Sequence, residues 1–379
     1  MISQSKRHFL QSMSVLGGSL LVPYLSRNAM AMNDSNAWFM PEESEPHERT
    51  WMSFIASHDI WAKRQVPVVQ KDLARIAVTI ARYEPVSLLV RKQDHAQAEK
   101  LLGGLETHNY PIKLIEFEMN DLWMRDTGPS FVINEAGQKA AVNFNFNGWG
   151  EAQAYELDAN VADFVAQHAG VKSIVSNLVL EGGCFEVDGQ GTAIMTESCI
   201  LNSNRNPNKS KAEVEAELKA LLGLEKIIWL KGIKGRDITD GHTDFYARFA
   251  RPGVVVVSRD SDPDSYDYQV TRDNIKQLKS ATDAQGKALE LVVLDTPWEI
   301  TERFGTKDFA AGYVGYYVCN GAVIMQGFGD KKADRAAKAA LSKVFPDHVI
   351  EQIMIDGIAS GGGSIHCATQ QEPSVEELR

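Results

Sequence analysis

Cysteine is scarce in this chain. Its four residues, Cys184, Cys199, Cys319 and Cys367, are too few for a disulfide scaffold, and none has the C-x-x-C or Cys/His spacing of a structural zinc site. Each thiol has to be judged by its own surroundings. Positive charge is also in deficit: 39 Lys and Arg face 50 Asp and Glu, so there is no basic excess with which to neutralise the phosphates of a nucleic acid. No Gly-rich nucleotide loop sits between a strand and a helix. Gly361-Gly362-Gly363 comes nearest and lacks the Lys-Ser/Thr that a phosphate loop needs. From about Met40 onward there is no Pro-rich linker, charge block or low-complexity tract. One domain is the expectation, and 44% apolar residues are enough to give it a substantial core.

The first 31 residues differ from the rest. Lys6 and Arg7 precede a weakly apolar stretch, 9–25, that ends before Ala29-Met30-Ala31. That order of charge, apolar run and small-x-small site is an export signal. Gly17, Gly18 and Pro23 interrupt the stretch, whereas a membrane span needs about 20 apolar residues, so no stable membrane anchor is expected. Ser5-Lys6-Arg7-His8-Phe9-Leu10 is similar to a twin-arginine signal with Lys in the first basic position. The expectation is a cleaved segment 1–31, a catalytic domain 32–379 and a periplasmic or otherwise exported location, with the cytoplasm as the alternative where the signal does not function. Cleavage would remove Lys6, Arg7 and Arg27 and no acid, taking the net charge from -11 to -14.

Short strand-like runs fall at 86–90, 112–117, 130–133, 254–257, 291–294, 313–318 and 322–326. Helices are predicted between them. Ser210 and Glu213 have capping-box spacing for a helix to Leu222, with Gly223 as its stop. Asp330 caps another over 331–345, and 69–82 and 266–278 read as helices by length. Asn320-Gly321 is a strong hairpin turn. Hairpins mixed with helices give an α/β fold other than a purely parallel doubly wound sheet.

Four segments are dense in Gly, acids, His and Cys. In Asn120-Asp121-Leu122-Trp123-Met124-Arg125-Asp126-Thr127-Gly128-Pro129 two acids bracket Trp and Arg. This is either a turn held by an Arg–carboxylate pair or a site where Asp126 receives a cation beside the Trp123 ring. Leu180-Glu181-Gly182-Gly183-Cys184 sets two glycines after an acid, permitting close backbone approach, and Cys184 reads as a small buried residue. In Asp237-Ile238-Thr239-Asp240-Gly241-His242-Thr243-Asp244, strand geometry would turn His242 and Asp244 into one cavity. The alternative there is a metal site with His and carboxylate ligands. Ser360-Gly361-Gly362-Gly363-Ser364-Ile365-His366-Cys367 brings a thiol out of a glycine-rich approach, with His366 expected on the opposite face.

Together with Glu45-Pro46-His47-Glu48-Arg49-Thr50-Trp51-Met52, Phe146-Asn147-Gly148-Trp149-Gly150 and Thr369-Gln370-Gln371, these segments resemble agmatine deiminases and their bacterial peptidylarginine deiminase relatives over about residues 38–373. The resemblance implies the pentein fold, a single-domain α/β propeller of five ββαβ-type units around a central site. It implies Cys367 as nucleophile, His242 as acid and base, Glu181 supporting His242, Asp126 and Asp244 holding the guanidinium, and Trp123 in the substrate site. The chemistry agrees with such a set. A guanidinium is a delocalised cation and a poor electrophile, so it needs carboxylates to orient it and a thiolate to attack it. The implied reaction, agmatine to N-carbamoylputrescine and ammonia through an S-alkylthiouronium, uses no metal and no cofactor. Peptidylarginine deimination is the alternative, followed by non-catalytic guanidine binding. The expected partner is a small guanidine cation, and the sequence leaves a homo-oligomer open.

Overall fold

Five times along the chain a hairpin is followed by a helix and a third strand that runs parallel to the second. The computed structural model describes residues 37–105, 108–300, 306 and 308–375, and the candidate export segment 1–31 lies outside them. The second unit pairs Ser130–Ile133 antiparallel with Lys139–Asn143, which takes Lys172–Val175 in parallel after the helix Val161–His168. The third consists of Phe185–Val187, Thr192–Thr196, the helix Lys211–Leu222 and Lys226–Leu230. The fourth consists of Ala247–Arg251, Val254–Arg259, the helix Asp267–Ser280 and Glu290–Asp295. In the fifth, Tyr317–Cys319 and Ala322–Gly327 precede the helix Lys331–Val344 and Val349–Met354.

The first unit is assembled from both ends of the chain. Its inner strand, Thr369–Pro373, pairs antiparallel with His47–Ser53, which is followed by the helix Val66–Ile80 and the parallel strand Val86–Val90. A further helix, His95–Gly103, leads to a fourth strand, Ile112–Glu116. Five ββαβ units are therefore present, as the pentein expectation requires. The repeat is hidden in the sequence because one unit is split across more than 300 residues and carries an extra helix and strand.

Local chemistry accounts for the elements. Middle strands such as Val254–Arg259 are buried between sheet neighbours and helices, and they read as continuous apolar runs. Ser210 and Glu213 form the predicted capping box, and Gly223 closes that helix in the left-handed conformation at φ 67°. Asp330 caps the backbone N–H groups of Lys332 and Ala333. At the Asn320-Gly321 turn, Gly321 takes φ 76°. One strand differs: 313–318 was expected extended, but only Tyr317–Cys319 pairs. Tyr313 and Tyr316 instead fill a buried loop, where the Tyr313 hydroxyl donates to Asp334 and the Arg248 guanidinium lies 4.6 Å from the Tyr316 ring centre. No helix among the described residues is long and apolar enough to cross a membrane.

What the repeat positions is a set of lead-in segments. Asp126 lies just before the inner strand of the second unit and Glu181 before that of the third. His242 and Asp244 precede the inner strand of the fourth, and Cys367 precedes that of the first.

Candidate active site

Cys367 ends a turn that only glycine could build. A Cβ on Gly363 would lie 2.1 Å from Trp123 Cζ3, and one on Gly361 would lie 2.0 Å from Trp61 Cη2, so two indoles press directly on the backbone. Trp123 and Trp61 are fixed in turn by Asp121, whose oxygens accept from both ring nitrogens at 2.9 and 2.7 Å. Trp123 thus helps wall the site, but its polar atom is committed to Asp121. Arg125 does not pair with either bracketing acid. It is buried, donates to Gln371 and Glu43, and its backbone N–H donates to the Cys367 carbonyl at 3.1 Å.

The Cys367 sulfur is 3.3 Å from Ser364 Oγ and 3.7 Å from Asp244 Oδ2. Asp244 Oδ2 also lies 2.8 Å from His366 Nδ1, while Asp244 Oδ1 is buried with no hydrogen-bond partner. A buried carboxylate oxygen with an empty lone pair is costly unless a ligand donor satisfies it. Burial raises the carboxylate's pKa, but the His366 hydrogen bond together with the charges of His366, His242 and Arg248 outweighs it and holds Asp244 below its usual range, so it is ionised at neutral pH. Asp126 accepts from Gly183 N at 3.1 Å and from Trp149 Nε1 at 3.0 Å. Burial, with Asp244 and Glu181 nearby, lifts it to about 6.

His242 is buried with Nε2 3.1 Å from Glu181 Oε2 and Nδ1 3.9 Å from Asp126 Oδ1. Burial opposes its charge, yet Asp126 and hydrogen bonds to Cys199 and Glu181 hold its pKa well above the ordinary imidazole value. Glu181 is kept down to about 2 against burial by His242 and by Arg205, whose Nε donates to Oε1 at 3.1 Å. The two glycines after Glu181 are there for close approach: a Cβ on Gly183 would come within 2.5 Å of His242 Nδ1. His242 and Asp244 enter not on an incipient strand but around a single 3₁₀ turn, Thr243–Phe245, which reverses the chain before Ala247–Arg251 begins. Asp237 and Asp240, open from sequence as metal ligands with His242, turn elsewhere: Asp237 accepts from Thr239 N, and Asp240 accepts from Arg205 and Asn204.

Five sequence-predicted residues therefore converge. The thiol is the member out of register with its task, since burial and then the Asp244 and Asp126 charges push its pKa well up. A cation held between the carboxylates would offset the Asp244 and Asp126 charges and so oppose that rise. Sequence reading missed Trp149 as a partner of Asp126, Arg205 behind Glu181, and His366 behind Asp244. It also missed Glu43, which holds His366 Nε2 at 2.9 Å. Trp149 lay inside a quoted motif, where it takes a left-handed φ of 56° between Gly148 at 68° and Gly150 at 82°. Glu43 carried no local signal.

A thiol, a charged imidazole and two carboxylates lining a buried site in a five-unit α/β propeller define a cysteine-dependent enzyme for a planar cation. The chain belongs to the Porphyromonas-type peptidyl-arginine deiminase family, whose model matches residues 39–373. A Legionella pneumophila relative is 39% identical over 90% of this chain and 96% of its own length. The agmatine deiminase of Medicago truncatula is 36% identical over 90% and 97%. The solved agmatine deiminase of Enterococcus faecalis superposes with a TM-score of 0.83 at 33% identity, covering 89% of this chain and 96% of that one.

Proposed function

We propose that the protein hydrolyses agmatine to N-carbamoylputrescine and ammonia, with Cys367 as nucleophile. The observation that carries this reading is the unpartnered Oδ1 of an ionised Asp244 whose other oxygen, Oδ2, lies 3.7 Å from the Cys367 sulfur: Oδ1 is a place for a guanidinium N–H. The guanidinium donates to Asp244 and Asp126 with its carbon over the sulfur, and its charge favours the thiolate. The S–C bond forms, His242 gives a proton to the departing nitrogen, and ammonia leaves an S-alkylthiouronium. His242 then accepts a proton from water as the water adds to the same carbon, and the C–S bond breaks to release the ureido product and the thiol. Glu181 and Arg205 keep the imidazole oriented through both steps.

Agmatine is favoured because relatives bearing that activity's name match this chain nearly end to end. The family's own description supports peptidyl-arginine as the second reading. A ureido assay on agmatine, free arginine and a peptidyl-arginine side by side separates them, and faster turnover of the peptide would overturn the first. Cys367→Ala is expected to lower ammonia release from agmatine at least a thousandfold with an unchanged circular dichroism spectrum. Retention of a few per cent of the rate would remove the covalent mechanism. The same reading includes export with loss of residues 1–31. N-terminal sequencing of the protein from a periplasmic fraction tests it, and a chain still beginning at Met1 would refute it.

A further inference from the structure

Behind His242 lie two thiols that the deimination does not use. Cys184 Sγ and Cys199 Sγ are 2.9 Å apart, and both thiols point at Glu181 Oε2, at 3.0 and 3.4 Å. The same oxygen is 3.1 Å from His242 Nε2. The four donor atoms all lie within 4.8 Å of one another, in residues no more than 1% exposed. Both cysteines are free thiols. Cys184 is held in the 3₁₀ turn Gly182–Cys184 and Cys199 in the one-turn helix Glu197–Ile200, so the fold fixes the pair before any ligand arrives.

Two sulfurs, an imidazole and a carboxylate oxygen are four ligands of the types a tetrahedral Zn²⁺ site uses, with Zn–S of about 2.3 Å and Zn–N of about 2.0–2.1 Å. Such bond lengths place neighbouring ligands about 3.3–3.8 Å apart, so the two sulfurs, 2.9 Å apart, must separate by about 1 Å to admit the ion. Two sulfur ligands disfavour Mg²⁺ and Ca²⁺. The spacing that marks structural zinc in a sequence is missing because the ligands come from two lead-in segments and a helix of one unit.

We propose that Glu181, Cys184, Cys199 and His242 form a binding site for a thiophilic divalent cation of the Zn²⁺ class, and that its occupation arrests the enzyme. The cation displaces one proton from each thiol and one from His242 Nε2, three in all, with no electron transfer. Arg205 remains on the other Glu181 oxygen and offsets the thiolate charge. With Nε2 bound to the metal, His242 is no longer an imidazolium: the proton left on Nδ1, the nitrogen towards Asp126, belongs to a neutral metal-bound ring, a far weaker acid, so it is not given up to the departing nitrogen.

The test uses the full chain under a phosphine reductant. One equivalent of Co²⁺ is expected to give a sulfur-to-cobalt charge-transfer band that persists in Cys367→Ala and is lost in both Cys184→Ser and Cys199→Ala. Zn²⁺ is expected to inhibit the unsubstituted enzyme, a chelator to restore it, and Cys199→Ala to need at least tenfold more zinc. Each inhibition is read as a ratio with and without chelator, so the basal rate of a variant does not enter. Absence of the cobalt band, its loss in Cys367→Ala, or equal zinc sensitivity of Cys199→Ala would overturn the site. The last two would place the cation on the nucleophile. Because the band needs no substrate, its outcome is independent of whether agmatine is the substrate.

Discussion

At the scale of single residues, the site is governed by charges that burial would neutralise and neighbours restore. Asp126 is the exception, lifted to about 6 with burial as the leading cause. A carboxylate that receives a cation must be ionised, so kcat/KM for agmatine should fall about tenfold per pH unit below about 6. Asp126→Asn should remove that acid limb and lower kcat/KM by about 3 kcal/mol, near two decades. A pH–rate profile with no inflection between pH 5 and 7 would show that Asp126 does not contact the guanidinium. Glu181 works in the opposite sense. It is ionised at every working pH, and both Arg205 and His242 depend on its charge. Glu181→Gln should cost about 3 kcal/mol in urea unfolding by leaving Arg205 buried with one carboxylate fewer. It should also lower the His242 pKa, moving the alkaline limb of kcat to lower pH. An unmoved limb would mean that Glu181 is structural only.

Among elements, legibility followed locality. The capping box at Ser210 and Glu213, the Asp330 cap and the Asn320-Gly321 turn depend on residues within four positions of one another, and each was readable from the chain. Ser210→Ala should therefore cost about 1 kcal/mol in stability and leave kcat unchanged, since the helix end is exposed and remote from Cys367. The candidate site was legible as residue types, because glycine doublets and triplets mark close approach. Its supports were not legible. His366 was expected to face away from the site; in a turn it reaches Asp244 from behind, a relation between segments 122 residues apart. Gly363→Ala tests the glycine reading. A methyl set 2.1 Å from Trp123 has no room, and the turn must shift or the indole must leave its bond to Asp121. A loss of about 2 kcal/mol or more in stability, with a falling kcat, is expected, and a neutral result would show that the Cys367 turn is adaptable.

Over the whole molecule, the units are tied together by buried charge as well as by apolar packing, and Glu43 shows how. It precedes the strand His47–Ser53 of the first unit and accepts from the Val318 backbone N–H of the fifth at 2.8 Å. It meets Arg248 of the fourth at 2.8 Å, Arg125 before the second at 3.1 Å, and His366 at 2.9 Å ahead of the closing strand. No stretch of sequence encodes that junction, because its members come from five separate segments. Burial alone would raise the Glu43 pKa, but Arg248 and His366 hold it well below the usual carboxylate range. A depressed folded-state pKa means stability that is present above the unfolded value of about 4.3 and is lost as pH falls towards the folded one. Glu43→Gln should therefore cost about 3–5 kcal/mol at pH 7, and the gap from the parent should narrow as the solution is acidified below about pH 4. Because the residue joins several units, the loss should shift one cooperative urea transition with its slope unchanged. His366, released on one side, should also let Asp244 go, so kcat should fall even where the variant is fully folded. A variant with a parental midpoint at pH 7 would show that apolar packing between the units suffices without this charge.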